Sequence, residues 1–389
     1  MPWKETEPVK ERMYFVVRLG EGEGMTALCR EFGISAKTGY KIYGRWCREG
    51  VAGLCDRSRA PHSHPAQVGE LMAALLVGWR ESYPSWGPKK LRAHLQRYCQ
   101  GVPAASTIGA LLRRQGLNVP RPGRHHVPPH SQPLAHAQGP NTVWCADFKG
   151  WFRTRDGEIC YPLTVTDGYS RFLIRCQALV HPSYQETWPV LEAALREYGL
   201  PAALRTDNGT PFAGQGLGGL CRLALRLLKL GVLPERIARG RPEQNGRHER
   251  MHRTLKAEAT QPPQANLRLQ QLEFQRFQQE FNFQRPHEAL HQQVPADHYH
   301  PSPRPYPPRQ PQLEYGPEFV VRQVRHSGEI RWAGERIYLT QALAGEPVGL
   351  LQLDDRHWSI YFGKLQLARL DSHKKKLIRP RLKRRHLLT

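Results

Sequence analysis

Apolar residues recur every three or four positions through the first part of the chain, which predicts helices. The spacing covers residues 7–20 and 24–32, and a third helical segment follows Gly33, with Ser35 as its N-cap. Short helices joined by a tight turn that contains glycine are typical of a helix-turn-helix fold. We therefore predict an all-α helix-turn-helix domain over residues 1–60, with an ordinary three-helix packing unit as the alternative.

The third helical segment carries polar side chains of the kind that a recognition helix presents to the major groove of DNA. The residues predicted to contact DNA there are Lys37, Thr38, Lys41 and Arg45. A second helical pattern, over residues 65–120, has Trp86 and Ile108 among its core candidates. It predicts a second DNA-binding module, winged or helix-turn-helix-like. The alternative for its basic residues is a solvated face.

The pattern changes after residues 121–140, which are rich in Pro and His and have no periodicity, as in an extended linker. Over residues 141–300, short alternating strands come first and include a hairpin closed by Asp167 and Gly168. A helix, a strand that ends at Asp207 and further helices follow. This order of elements predicts a mixed α/β layer.

Short strands separated by turn residues make up the last part of the chain. They follow a second, proline-rich linker over residues 301–313 and predict a small β-barrel over residues 314–372. Residues 373–389 are basic and contain no acid, which predicts a flexible tail that neutralises DNA phosphates, with a solubilising tail as the alternative. The phosphate contacts predicted in this tail are Lys374, Lys375 and Lys376.

The charge balance indicates the partner of these domains. The 389 residues contain 57 Lys and Arg against 34 Asp and Glu, a formal net charge of +23, so we expect a polyanionic partner. No run reaches the ~18 apolar residues of a membrane span, and the N-terminus lacks the apolar segment of a secretory signal. The eight cysteines are scattered singly, which argues against a disulfide framework and a zinc knuckle. We expect a cytoplasmic protein with no membrane partner.

Three acids of the central segment are the candidate chemistry: Asp147 in the first strand, Asp207 at the end of a later strand, and Glu249 in the first turns of a helix. Carboxylates held close together repel one another unless a cation lies between them. Magnesium prefers oxygen ligands, and two such ions about 3.5–4 Å apart can activate an attacking oxygen and stabilise a leaving oxygen in phosphoryl transfer. The three carboxylates are sufficient protein ligands for such a pair.

Four segments, WCADFKG, TVTDGYSRF, RTDNGTPF and NGRHERMHRTLK, resemble the catalytic core that retroviral integrases share with bacterial insertion-sequence transposases, the DDE recombinases. The later FNFQRPHEAL is similar to the closing segment of that family. The resemblance implies a ribonuclease-H-like mixed sheet, cleavage and strand transfer at transposon ends, and two Mg²⁺ ions per active site, with Mn²⁺ able to substitute. It also implies binding of terminal inverted repeats and of target DNA, self-association as a dimer or higher oligomer on DNA, and a bacterial, nucleoid-associated location.

Carried over by motif, the catalytic and metal-binding residues are Asp147, Asp207 and Glu249. Spacing alone favours Glu243, because 35 residues separate it from Asp207, which is the spacing usual in that family. In contrast, 41 residues separate Asp207 from Glu249. The local motif favours Glu249, since Gly246 precedes it by three positions and the length of chain before a motif varies more readily than the site itself.

Helical geometry assigns the neighbours of Glu249. Arg253 and Lys256 fall on its face and are predicted to contact DNA, with a solvated charged face as the alternative, whereas Met251 and Leu255 fall on a core stripe.

Two further residues of the motifs are assigned other roles. Asp167 is predicted to be a turn residue, because Asp-Gly is a common hairpin signal. His287 is predicted to be structural or DNA-contacting, since metal-bound water needs no protein base.

The sequence thus predicts a multidomain DDE transposase that cuts and joins DNA. One alternative is a DNA-binding regulator or inactive relic that keeps the core as a scaffold. Another is a nuclease of the same fold that does not join strands.

Overall fold

The computed structural model describes residues 7–58, 67–118, 134, 137–214, 217, 220–237 and 246–378. The chain divides into two units, Met1–Val68 and Gly69–Thr389. In the described residues no helix is both long enough and apolar enough to cross a membrane.

The first unit is the predicted set of three helices. They are α1 (Pro8–Gly20), α2 (Met25–Glu31) and α3 (Ala36–Glu49), and a 3-10 helix follows at Gly50–Leu54. Ser35 caps α3, because its hydroxyl oxygen accepts a hydrogen bond from the amide of Thr38 at 3.2 Å. The core is built from residues of all four elements: Phe15, Leu28, Ile42 and Leu54.

The second unit begins with three more helices, α4 (Glu70–Ser82), α5 (Pro88–Leu95) and α6 (Ala105–Arg114). The predicted core residues Trp86 and Ile108 are fully buried. This module is not separated from the central sheet: both belong to the same unit.

The central sheet of the second unit has six strands, and three of them pair with the same neighbour. The strands are β1 (Val143–Phe148), β2 (Phe152–Arg153), β3 (Ile159–Asp167), β4 (Leu173–Leu179), β5 (Ala203–Thr206) and β6 (Leu233–Arg236). β3 pairs antiparallel with β1, β2 and β4, whereas β5 pairs parallel with β1 and β6. The sheet is therefore mixed, as the element order predicts.

Helices cover both faces of this sheet. They are α7 (Tyr184–Tyr198), α8 (Arg222–Lys229), α9 (Gly246–Ala259) and α10 (Leu267–Phe283). α7 and α8 pack on the face that carries Trp144 and Val165, and α9 and α10 pack on the face that carries Cys160 and Cys176. The alternation of side chains along a strand separates the two cores, which gives an α/β/α arrangement.

The C-terminal strands form an antiparallel sheet. The strands are β7 (Phe319–Gln323), β8 (Glu329–Trp332), β9 (Glu335–Tyr338), β10 (Pro347–Gln352), β11 (His357–Phe362), β12 (Leu365–Asp371) and β13 (Lys376–Ile378). Five strands pair in the order β13-β12-β11-β10-β7, and β8 pairs only with β9. In this described part of the chain the end strands β7 and β13 do not pair, so the structure confirms a small antiparallel sheet and not a closed barrel.

Two segments of the C-terminal part each form a hairpin that turns at a glycine. Residues 329–339 turn at Gly334 and residues 357–370 turn at Gly363, both at positive φ, which glycine adopts without strain.

The first residues of the predicted flexible tail belong to the last hairpin of the sheet. Lys374 lies in a turn where its amide donates to Asp371, and the ammonium of Lys375 pairs with Glu335 at 3.2 Å. Lys376 begins β13. These three lysines therefore lie in a hairpin, because the carboxylate of Asp371 closes the turn. Residues 379–389 lie outside the described residues.

The proline-rich linker is attached to the central domain at its beginning. The carbonyl of Arg304 accepts from the amide of Leu200 at 2.7 Å, and the amide of Ser302 donates to the carbonyl of Tyr198 at 2.7 Å. The phenol of Tyr306 donates to Glu192. This part of residues 301–313 lies against the core instead of acting as a free spacer.

Asp167 closes the turn after β3, and it does more than the hairpin signal predicts. One carboxylate oxygen accepts from the amide of Asn141 at 2.8 Å, and the other accepts from the amides of Tyr169 and Ser170 and from the Ser170 hydroxyl. Burial raises the pKa of this carboxyl, and the hydrogen bonds oppose that rise. The side chain is 1% exposed and joins the start of β1 to the β3–β4 turn.

We expect Asp167→Ala to lower the free energy of unfolding by about 3 kcal/mol, because buried donors lose their acceptor. Urea denaturation of the full chain measures the change. The matched control is Asp355→Ala in the exposed turn between β10 and β11, which we expect to change stability by less than about 0.5 kcal/mol. Equal stability losses in the two variants would contradict the anchoring role.

Candidate active site

The first two candidate acids lie at the ends of two neighbouring parallel strands. β1 pairs with β5 in the register Cys145 with Arg205 and Ala146 with Thr206, so Asp147 and Asp207 occupy the next position on each strand. Both are half-buried. Because parallel strands end at the same edge of a sheet, the pairing sets the two carboxylates side by side.

A tight turn holds the carboxylate of Asp207. One of its oxygens accepts from the amide of Gly209 at 3.0 Å, and the side-chain amide of Asn208 donates to the carbonyl of Ile237 at 2.9 Å. A Cβ on residue 209 would lie 2.9 Å from the other carboxylate oxygen. Neither Asn208 nor Gly209 has a positive φ, so the glycine provides room for the carboxylate, not a left-handed turn.

The helix that carries Glu249 begins against β3. The Nε2 atoms of His248 and His252 each lie 2.7 Å from the hydroxyl oxygen of Thr164, and this hydroxyl donates to the carbonyl of Asp147 at 3.1 Å. Thr164 is also the register partner of Asp147. A single threonine thus joins the first candidate acid to the first turns of α9.

Burial keeps both histidines of this contact neutral. It lowers the pKa of His248 to about 3 and lowers that of His252 as well. A neutral ring can donate from Nε2 to Thr164 while the hydroxyl donates onward, so the three groups satisfy one another.

The exposed face of α9 has the predicted composition. Glu249, Arg253 and Lys256 are exposed, and Met251 and Leu255 are buried in the core between α9, α10 and the sheet. Glu249 lies in the first turn of the helix. The competing residue Glu243 lies outside the described residues.

The three candidate carboxylates do not form a ready metal site. Within the described ranges, no group of three His, Cys, Asp or Glu side chains converges closely enough to hold a metal ion. The register sets Asp147 and Asp207 on neighbouring strands, and within the described ranges the three candidate carboxylates do not converge.

The sequence interpretation missed Lys149, which lies two positions after Asp147. Burial lowers the pKa of its ammonium, and the positive charge of Lys256 lowers it further. The two positive charges are therefore near enough to interact electrostatically. The signal in the sequence was the lysine of WCADFKG, whose neighbour on α9 is evident only in three dimensions.

The end of α9 is fixed by a buried ion pair. The guanidinium of Arg285, 5% exposed, donates to both carboxylate oxygens of Glu258 at 2.7 Å and to the hydroxyl of Ser85 at 3.2 Å. The phenol of Tyr83 donates to Gln284 at 2.8 Å. The second helical module is therefore bound to α9 and to the chain after α10.

The predicted contacts in α3 differ in their exposure. Lys37 and Lys41 are exposed. Thr38 belongs to the N-cap, since its hydroxyl lies 2.9 Å from that of Ser35. Arg45 donates to the carbonyl of Cys55 and so contributes to the fold of its own unit.

The family comparisons cover most of the second unit. Two models described as the integrase core domain match residues 137–242 and 230–295. A model described as the C-terminal domain of the IS481 family transposase matches residues 319–377, and a homeodomain-like domain matches residues 38–112. This chain is therefore similar to the integrase core domain over residues 137–295 and to the C-terminal domain of the IS481 family transposase over residues 319–377.

A curated relative of this chain comes from Burkholderia multivorans. It is an uncharacterized 31.7 kDa protein of insertion element IS407, 28% identical over 256 residues, which are 65% of this chain and 88% of the relative.

Two solved structures of viral proteins also match. The first is the HTLV-2 integrase catalytic core domain in complex with magnesium, with 15% identity, a TM-score of 0.34, and coverage of 42% of this chain and 99% of that one. The second is the simian T-cell lymphotropic virus intasome in complex with PP2A regulatory subunit B56 gamma, with 16% identity, a TM-score of 0.37, and coverage of 80% and 100%. Scores this low carry no argument about mechanism.

His287 lies in the closing segment of the core and is held neutral, because burial, together with the charges of Lys90 and Arg285, lowers its pKa to about 3. The ring packs edge-on against Phe281 at 4.6 Å. The unfolded chain takes up a proton near pH 6.5 and the folded chain only near pH 3, so this residue removes stability as the pH falls between those values.

We expect His287→Phe to reduce the loss of unfolding free energy on acidification by about 1.4 kcal/mol per pH unit between pH 5.5 and 4. Urea denaturation at a series of pH values, compared with the parent chain, measures this slope. An unchanged slope would show that the ring titrates in the folded protein as it does in the unfolded chain.

Proposed function

We propose that this chain is a DDE transposase that binds the terminal inverted repeats of its element and catalyses metal-dependent strand cleavage and strand transfer. The observation that carries the proposal is the pairing of β1 with β5, which sets Asp147 and Asp207 side by side. The start of α9, with Glu249, packs against β3 at the register partner of Asp147.

The donor chemistry suits a hard divalent cation. Asp147, Asp207 and Glu249 offer only oxygen ligands, which Mg²⁺ prefers and Mn²⁺ accepts. We propose that these three residues hold two such ions once Glu249 has closed on the other two acids. When bound, the ions would activate the attacking oxygen and stabilise the leaving oxygen.

The remaining residues bind and orient DNA in this proposal. The amide of Gly209 fixes one oxygen of Asp207. The charges of Lys149 and Lys256 interact with each other, and these two lysines would bind phosphates of a strand at the site. Arg253, exposed on the same face of α9, would extend that contact, and Lys37 and Lys41 of α3 would bind the element's end.

The organisation of the protein completes the proposal. We propose the ribonuclease-H-like core, the domain boundaries given above, a dimer or higher oligomer on DNA, and a cytoplasmic location at the nucleoid. Lys374, Lys375 and Lys376 would contact phosphates from the exposed side of their hairpin.

A DNA-binding regulator without catalysis is the second candidate function. It is favoured by the lack, among the described residues, of three converging metal-binding side chains. In that case Glu249 would never reach the other acids, and the helical modules would provide the whole activity.

We expect Asp207→Asn to abolish strand transfer in Mg²⁺ while leaving end binding unchanged, because the amide loses the charge that a cation requires. Strand transfer with end-containing oligonucleotides and gel-shift titration measure the two effects. Asp355→Asn, in an exposed turn, is the control and should retain both activities. Joining by Asp207→Asn would refute the site, and a parent chain that binds ends but never nicks them would support the regulator.

We expect Gly209→Ala to reduce strand transfer at least 10-fold, because its Cβ would displace the Asp207 carboxylate. Gly139→Ala is the matched control, since its Cβ would meet nothing closer than 3.9 Å. Initial rates of strand transfer, with urea denaturation to confirm folding, compare the two variants. Equal rates would mean that the position of this carboxylate does not limit the reaction.

A further inference from the structure

A cavity of about 220 Å³ lies beside the β3–β4 turn, between α9 and the chain after α10. We call it the arginine pocket. Five cationic residues line it: Lys90, Arg171, Arg247, Arg250 and Arg285. Asp167 and Glu288 are the acids in the lining. Positive side chains therefore outnumber negative ones among the described residues that line this small cavity.

Arg171 is the cation with the least compensation in the arginine pocket. It follows the Asp167 turn at a φ of +68°, and its Nε atom is buried without a hydrogen-bond partner. Burial, together with the charges of Arg247 and Arg250, lowers the pKa of this guanidinium to about 10. Because a guanidinium stays charged in proteins, the fold holds this cation at a cost in free energy.

The acids nearby do not neutralise this charge. Asp167 already accepts hydrogen bonds from the amides and the hydroxyl of its own turn. Glu288 is exposed and lies 3.6 Å from Lys89. Glu258, which is not in the lining, pairs with Arg285. Arg247 donates to the carbonyl of Gly168 at 2.7 Å, which satisfies one donor and no charge.

The residues outside the described ranges offer little counter-charge. They contain two acids, Glu5 and Glu243. Glu5 belongs to the first unit, so Glu243 is the acid of the second unit whose contacts are not described. One carboxylate does not balance Arg171, Arg247 and Arg250 together.

We propose that the arginine pocket binds a phosphate group, as a site separate from the candidate catalytic acids. A phosphate fits within the cavity, and the planar guanidinium groups of Arg171 and Arg247 are suited to pair with its oxygens. The source is either a free or terminal phosphate or a phosphodiester of a DNA strand. The DNA source rests on the proposed function.

Inorganic phosphate tests the site directly. We expect it to raise the melting temperature of the full chain more than sodium chloride at equal ionic strength. Arg171→Gln should weaken the apparent phosphate affinity at least 10-fold, whereas Arg268→Gln, an exposed arginine of α10, should leave it unchanged. Arg247→Gln provides the same test if Arg171→Gln does not fold. Equal phosphate responses in the pocket and control variants would overturn the proposal.

Two further variants keep this test separate from catalysis and from Glu243. Asp207→Asn should bind phosphate like the parent chain, even if strand transfer is lost or was never present. Glu243→Gln should bind phosphate as tightly as the parent chain, because the proposed site does not use this carboxylate. A large loss of phosphate binding in either variant would place the phosphate elsewhere.

Oligonucleotides distinguish the sources. If the ligand is a terminal phosphate, Arg171→Gln should weaken binding of a 5′-phosphorylated DNA end and not of the 5′-hydroxyl end. If it is a backbone phosphodiester, the variant should weaken both ends equally and reduce the salt dependence of binding by about one ion. If phosphate does not stabilise the parent chain and Arg171→Gln binds both ends as tightly as Arg268→Gln, the proposal fails.

Discussion

The position of β1 between an antiparallel and a parallel neighbour is the constraint on which the candidate site depends. Pairing with β5 brings Asp207 beside Asp147, and pairing with β3 brings Thr164 beside it from the other direction. The hydroxyl of Thr164 then receives His248 and His252 from α9. Because register fixes which side chains share a face, a shift of one residue in either ladder would separate all these groups.

The helix that carries Glu249 is held at both of its ends. Its start is bound to the sheet through neutral, buried histidines, and its end is bound through Glu258 to Arg285 and Ser85. A buried ion pair resists separation, because each partner would leave the other charged and unpaired. Movement of the second helical module is therefore coupled to the helix beside the candidate acids.

Much of the fold follows from local pattern, whereas much of the site does not. Spacing predicted the buried stripe of Met251 and the cap at Ser35, since both depend on neighbours in sequence. It could not reveal that Arg171 and Arg247 line one cavity, because that cavity lies between a hairpin turn and a helix distant in sequence. The sequence also could not predict whether the last sheet closes, because the alternation of apolar and polar residues does not determine whether the end strands pair. Assembly of Glu249 with the other acids stays a prediction.

The last sheet shares its hydrophobic core with α8. Leu225 and Leu228 of that helix pack with Ile360 and Phe362 of the sheet, while Leu223 and Leu227 pack with the central strands. The helix is therefore apolar on two sides, and its exposed residues are Arg222 and Arg226. A fragment that ended before the last sheet would expose an apolar surface of α8 to solvent. The central domain is therefore better purified together with the C-terminal sheet than alone.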